Sequence, residues 1–174
     1  MPDIWQPGDA PHPIAPGTAW LPVRRWEDDE YLAGRLPLLE DPEGVVLHCG
    51  ATDGDLARYT THEPDERDVS YHLVIDRRRR QVIQTVPLTH RAWHAGSWNC
   101  WLGVALLGPY ELDPRPDWER DALRAVLIML AEARPSVRYV CRHSEQPGAG
   151  RRDPGPGVKA DWLEGTGLRW GLPG

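Results

Sequence analysis

His143 and Asp153 stand at the two ends of a loop rich in Gly and Pro, His143-Ser144-Glu145-Gln146-Pro147-Gly148-Ala149-Gly150-Arg151-Arg152-Asp153, with two guanidinium groups just ahead of the carboxylate. An imidazole and a carboxylate set out in this way are half of a metal site. A borderline cation such as zinc accepts neutral imidazole and carboxylate oxygen, and a catalytic zinc needs only three protein ligands, which leaves a position for water. The third ligand must come from elsewhere. His48 is the candidate, because it ends the apolar run Val45-Val46-Leu47 and a strand terminus fixes a ligand more rigidly than a loose loop does. The competing account makes each His a hydrogen-bonded structural residue and Asp153-Pro154-Gly155-Pro156 an ordinary turn. Cys141 would share a face with His143 and is the runner-up ligand, whereas Cys49 should point away from His48 on a strand of period two.

Rigid elements must carry these side chains. Residues 45–48 read as a strand buried on both faces, and residues 102–107 and 137–141 as two more. Residues 69–75 and 82–86 flank Arg77-Arg78-Arg79-Arg80 and predict an antiparallel hairpin with a longer, looser turn than Asp-Gly would make. The clearest helix covers residues 116–134. Pro116 opens it, Asp117, Glu119 and Asp121 lie near its positive end, and Ala122, Leu123, Val126, Leu127 and Leu130 share one face. Shorter helices are expected at 26–39, 55–61 and 159–163. The predicted fold is therefore α/β, a single domain with a central mixed β-sheet flanked by helices. Residues 1–44 form a Pro/Trp-rich arm with a short helix packed on the domain, and residues 45–174 form the domain itself.

Composition narrows the function. A chain of 174 residues is one domain of ordinary size. The net charge of -6 argues against a nucleic-acid partner, since phosphate binding needs a basic surface. Nine Trp and no Phe suit stacking on sugars and peptides as well as core filling. Three Cys without a framework spacing imply reduced, mostly buried thiols. Neither a signal-peptide pattern nor a membrane span is visible, so synthesis in the cytoplasm and a soluble monomer are expected.

Five blocks stand in one order: Val46-Leu47-His48-Cys49-Gly50-Ala51-Thr52, Val69-Ser70-Tyr71-His72-Leu73-Val74-Ile75-Asp76, Arg91-Ala92-Trp93-His94-Ala95-Gly96, Leu102-Gly103-Val104 and the loop from His143 to Pro156. Together they resemble the zinc-dependent N-acetylmuramoyl-L-alanine amidases, a family that includes phage lysins, muropeptide-recycling amidases and peptidoglycan recognition proteins. The resemblance implies that family's α/β fold, a Zn2+ ion on His48, His143 and Asp153, and hydrolysis of the amide between muramic acid and L-alanine in peptidoglycan or muropeptides. Ala105 falls where recycling amidases have Glu, and Tyr71 falls on the Tyr of members lacking that Glu, so Tyr71 is the expected catalytic hydroxyl. Arg151 stands where the family has Lys. It can hold an oxyanion but is no proton shuttle; Arg152 is its neighbouring alternative. Trp93, His94 and Asn99 are expected to contact substrate, with Trp98 and Trp101 behind them. Glu145 is a further candidate proton acceptor, and His72 is expected in the core. A lysin or delivered effector would act on peptidoglycan after release or secretion. The rival readings are a recycling amidase and a binding module that has lost hydrolysis.

Overall fold

The computed structural model describes residues 19–21, 38–50, 71–109 and 112–174. The helix expected at 55–61 lies outside these residues, as does most of the one expected at 26–39. The last two positions of the latter are extended: Leu38 bridges to His90, and the Leu39 N–H donates to the Thr89 carbonyl at 2.7 Å.

Among the described residues seven strands make one sheet: β1 (Ala19–Leu21), β2 (Gly44–Gly50), β3 (Leu73–Asp76), β4 (Gln81–Gln84), β5 (Leu102–Leu107), β6 (Tyr139–Arg142) and β7 (Arg169–Trp170). Their order is β1-β4-β3-β5-β2-β6-β7, and every neighbouring pair is parallel except β3 with β4. The sheet is thus mixed, as expected. β2 lies inside it, between β5 and β6, and every one of its seven residues is buried. The arm contributes an edge strand, β1, alongside β4.

Alternation along β2 assigns its two faces. Val45 and Leu47 join Leu73, Ile75, Val104 and Leu106 in the main core, against helix α1 (Asp117–Ala133). The helix presents Ala122, Leu123, Val126, Leu127 and Leu130, all fully buried. Each such Leu or Val stabilises the fold by about 1.5–3 kcal/mol relative to exposure. Pro116 caps the start of α1, Asp117 and Glu119 occupy its first turn, and Pro135 follows its capping residue Arg134. Glu119 does more than complement the helix end, because it is fully buried and paired with buried Arg115 at 2.9 Å. Arg115 also reaches Cys49 Sγ at 3.5 Å, so Cys49 faces the helix side and points away from His48.

Three expectations need correction. The β3–β4 turn is a compact four-residue connection. The Asp76 carboxylate accepts from the Arg78 and Arg79 N–H groups and from Arg79 Nη1, and Arg80 takes the left-handed conformation that closes the turn. The expected helix at 159–163 is a 3-10 turn, Ala160–Leu163. The strand expected from residue 69 begins at Leu73, so Tyr71 and His72 precede it.

Candidate active site

The site lies on the face of the sheet opposite α1, at the carboxyl ends of β2 and β6, where ligands of open α/β sheets commonly bind. His48 is the fifth residue of β2, 1% exposed, with its side chain on the face of Val46. Across β5 its partner in register is Ala105, whose small side chain leaves room for the Tyr71 ring. Tyr71 packs against Ala105, and its centroid lies 5.0 Å from that of His48. The Tyr71 backbone is anchored: its carbonyl accepts from the Thr85 hydroxyl, and the next residue, His72, bonds through its N–H to the Gly103 carbonyl at 2.9 Å.

His143 opens the 3-10 turn His143–Glu145 directly after β6. Glu145 builds this turn: its carboxylate accepts from the Arg142 N–H at 2.9 Å and from Trp170 Nε1 at 3.1 Å. The side chain suggested as a proton acceptor is thus engaged in holding the His143 turn against β7. Beyond it the loop runs back through Gly148 and Gly150, both left-handed, and the Ser144 N–H binds the Asp153 carbonyl at 3.0 Å. Asp153 is thereby set beside both imidazoles. His48 Nδ1 lies 3.1 Å from Asp153 Oδ2, and His143 Nδ1 lies 3.2 Å from both carboxylate oxygens.

These three residues form a group whose ligand atoms all lie within 4.8 Å of one another. The electrostatics suit a cation. Burial drives the His48 pKa down to about 4, so the ring is neutral at neutral pH. For Asp153 burial is the largest single influence and acts upward, but the hydrogen bonds and charge of His143 and His48 together outweigh it and hold the carboxyl well below the usual carboxylate range. Two imidazoles and an ionised carboxylate facing one point are the donor set of an open zinc site. Cys141, the runner-up ligand, is not part of it. It is fully buried against Val46 and Trp101, and burial pushes its thiol up to about 12.

A groove of about 280 Å3 is lined by His94, Ala95, Gly96, Ser97 and Trp98 together with His143, Gln146, Pro147, Gly148, Ala149 and Arg151. Arg151 lines it and is exposed; its neighbour Arg152 is exposed but does not line it. The residues expected to touch substrate separate here. Trp93 is 44% exposed and is not among the groove-lining residues; Trp98 lines the wall instead. Asn99 is 7% exposed, and its Oδ1 accepts from the His94 and Ala95 N–H groups at 2.9 and 2.7 Å, so it shapes the turn that carries the wall. His94 lines the groove, is 8% exposed and sets its Nδ1 2.9 Å from His48 Nε2. Gln146, which lines the groove at 4% exposure, carried no signal in the sequence beyond its place after Glu145.

Residues 38–156 match the family described as N-acetylmuramoyl-L-alanine amidase. The chain belongs to that family and is a hydrolase of its class. Among solved structures it is similar to a selenomethionine derivative of AmpD, with 23% identity and a TM-score of 0.63 over 87% of this chain and 94% of that one. It is also similar to the Ph2119 endolysin of a Thermus scotoductus MAT2119 bacteriophage, with 20% identity and a TM-score of 0.54 over 83% and 96% of the two chains. The endolysin amidase LysCS of Clostridium intestinale URNW aligns at 18% identity and a TM-score of 0.54 over 70% and 80%. No curated protein matches the sequence. Members of the family are generally zinc-dependent, and the His48, His143 and Asp153 group is compatible with that. No helix among the described residues is long and apolar enough to cross a membrane.

Proposed function

We propose that the protein is a monomeric zinc amidase of the lysin type. It hydrolyses the lactyl amide between muramic acid and L-alanine in peptidoglycan after release or delivery. The observation that carries this reading is the meeting of three ligand atoms from β2, from the turn after β6 and from the loop beyond it, within 4.8 Å, beside a groove. A zinc ion there would supply Lewis acidity, polarising the scissile carbonyl and making water nucleophilic near neutral pH. The residues around it would do the rest. Tyr71, tilted against His48, orients the attacking water or donates to the developing oxyanion. Arg151 in the groove lining gives that oxyanion a fixed cation. Trp98 offers an aromatic wall for sugar or stem peptide. Endolysins that share the fold support the lysin assignment.

Digestion of purified sacculi with the zinc-loaded protein tests this. Mass spectrometry should find stem peptides that begin with a free L-alanine amine and glycan strands left uncut. New reducing ends without free alanine amines would show that a different bond is cleaved. Hydrolysis of soluble muropeptides with intact sacculi untouched would replace the lysin with a recycling enzyme.

A further inference from the structure

His94 makes two side-chain contacts that bear directly on the metal ligand His48. Its Nε2 lies 3.1 Å from the Trp101 carbonyl oxygen, and its Nδ1 lies 2.9 Å from His48 Nε2. A carbonyl can only accept, so the proton of His94 resides on Nε2. A neutral imidazole donates from one ring nitrogen and accepts at the other, so with the proton on Nε2 the His94 Nδ1 is the accepting lone pair. A bare nitrogen at 2.9 Å requires a proton on the other partner, which places the His48 proton on Nε2. The remaining nitrogen of His48, Nδ1, can then give its lone pair to a cation shared with Asp153, whose Oδ2 lies 3.1 Å away, in place of the hydrogen bond that the two make without one. The direction of each bond follows from one backbone carbonyl.

We infer that His94 is a positioning residue for metal binding: anchored by the Trp101 carbonyl, it holds His48 in the tautomer and ring orientation that aim Nδ1 at the metal position. This rests on the zinc reading above and extends it. It gives His94 the role of supporting a ligand in addition to its place in the groove lining. Gly103 on β5 is the seat that makes the arrangement fit. A Cβ there would stand 2.7 Å from His94 Cδ2 and 2.8 Å from Cγ, so the imidazole lies directly against the strand backbone. Ligating histidines usually direct their second N–H at a carboxylate, carbonyl or water, and losing that partner typically weakens metal binding about 10–100-fold. An imidazole can fill that role only when something else fixes its own tautomer, and here the Trp101 carbonyl does so.

The test uses the zinc-loaded full chain and two readouts other than activity. Ring-nitrogen NMR of the parent should show the His48 and His94 protons on Nε2 in both rings, with His48 Nδ1 on the metal. A His48 proton on Nδ1, or metal on Nε2, would overturn the proposal. In chelator competition, His94→Leu should bind zinc about 10–100-fold more weakly than the parent. His94→Asn, whose Oδ1 can accept in place of Nδ1, should recover most of the loss. Equal affinity of the parent and a folded His94→Leu protein would overturn the role of His94 alone, whereas a parent that takes up no zinc would overturn the metal reading itself. If His94→Leu does not fold, the ring spectrum of the parent decides.

Discussion

Zinc should stabilise this chain through the fold as well as through chemistry, and His143→Ala is the substitution that separates the two. His48 lies within the central strand, so its truncation would open a buried hole and lower stability whether or not metal is present. His143 is different: its side chain is 12% exposed, and it sits after the end of β6 on a turn that Glu145 already holds. Without zinc, the His143→Ala protein should melt within a few degrees of the zinc-free parent, as partly exposed substitutions usually do. With zinc the two should diverge. At free zinc a hundredfold above its Kd, a site present only in the folded state adds about 2.7 kcal/mol. For a chain of this size each kcal/mol moves Tm by about 2–4 °C, so the parent should gain roughly 5–10 °C. The His143→Ala protein should gain little. Calorimetric or fluorescence melts with and without chelator read this directly. An equal zinc-dependent rise in both proteins would refute His143 as a ligand.

In the groove lining Arg151→Lys should retain activity, while Arg151→Ala should lose about ten- to a thousandfold in kcat with unchanged zinc content, as for loss of one oxyanion donor. An Arg151→Ala enzyme as fast as the parent would give that role to Arg152 or to a backbone donor. A pH effect follows from His72, whose Nε2 donates to the His90 carbonyl at 2.8 Å and whose Nδ1 accepts from the Gly103 N–H. Burial lowers its pKa to about 4 from an unfolded value near 6.5, so the unfolded chain binds the proton first. The stability that its neutral form contributes is therefore fully present above pH 6.5 and is lost as pH falls toward 4. At about 1.36 kcal/mol per pH unit this amounts to roughly 3 kcal/mol, read from denaturant titrations across that window. His72→Gln should lessen the dependence by that amount, with buried His48 and His94 keeping their own share, and an equally steep one in that variant would assign the acid sensitivity elsewhere.

Burial patterns made much of the sheet legible. The unbroken apolar run before His48 predicts a strand covered on both faces, and β2 is one, with α1 on one side and the candidate site on the other. The helix read over 116–134 is Asp117–Ala133 because its signals are local: a proline at its start, acids in its first turn and an apolar face that needs no partner to be recognised. Elements held by distant contacts left no such mark. β1 and β7 are three and two residues long and exist as edge pairings with β4 and β6. Glu119 reads as a surface acid near the helix start. Its burial depends on Arg115, which reaches it from the turn ahead of the helix while also contacting Cys49 on β2, 66 residues away in sequence.

The Trp93-His94 pair shows why the site was harder to read than the sheet. Two adjacent side chains outside regular structure have no periodicity to say which one turns inward, and an indole and an imidazole are both plausible on a substrate wall. What decides is the register of β5. Gly103, beside Val46 across β2, leaves a space that only a glycine provides, and the His94 ring fills it. Asn99 fixes the turn by accepting the His94 and Ala95 N–H groups, and Trp93 is left outside at 44% exposure. A glycine inside a strand pattern does signal a close approach by another group. In Leu102-Gly103-Val104 that signal was present, but the approaching group lies only nine residues earlier and reaches Gly103 through a turn whose path the sequence does not declare. Gly103→Ala should therefore act on metal binding through His94 before it acts on the core, since the added methyl meets the imidazole ring first.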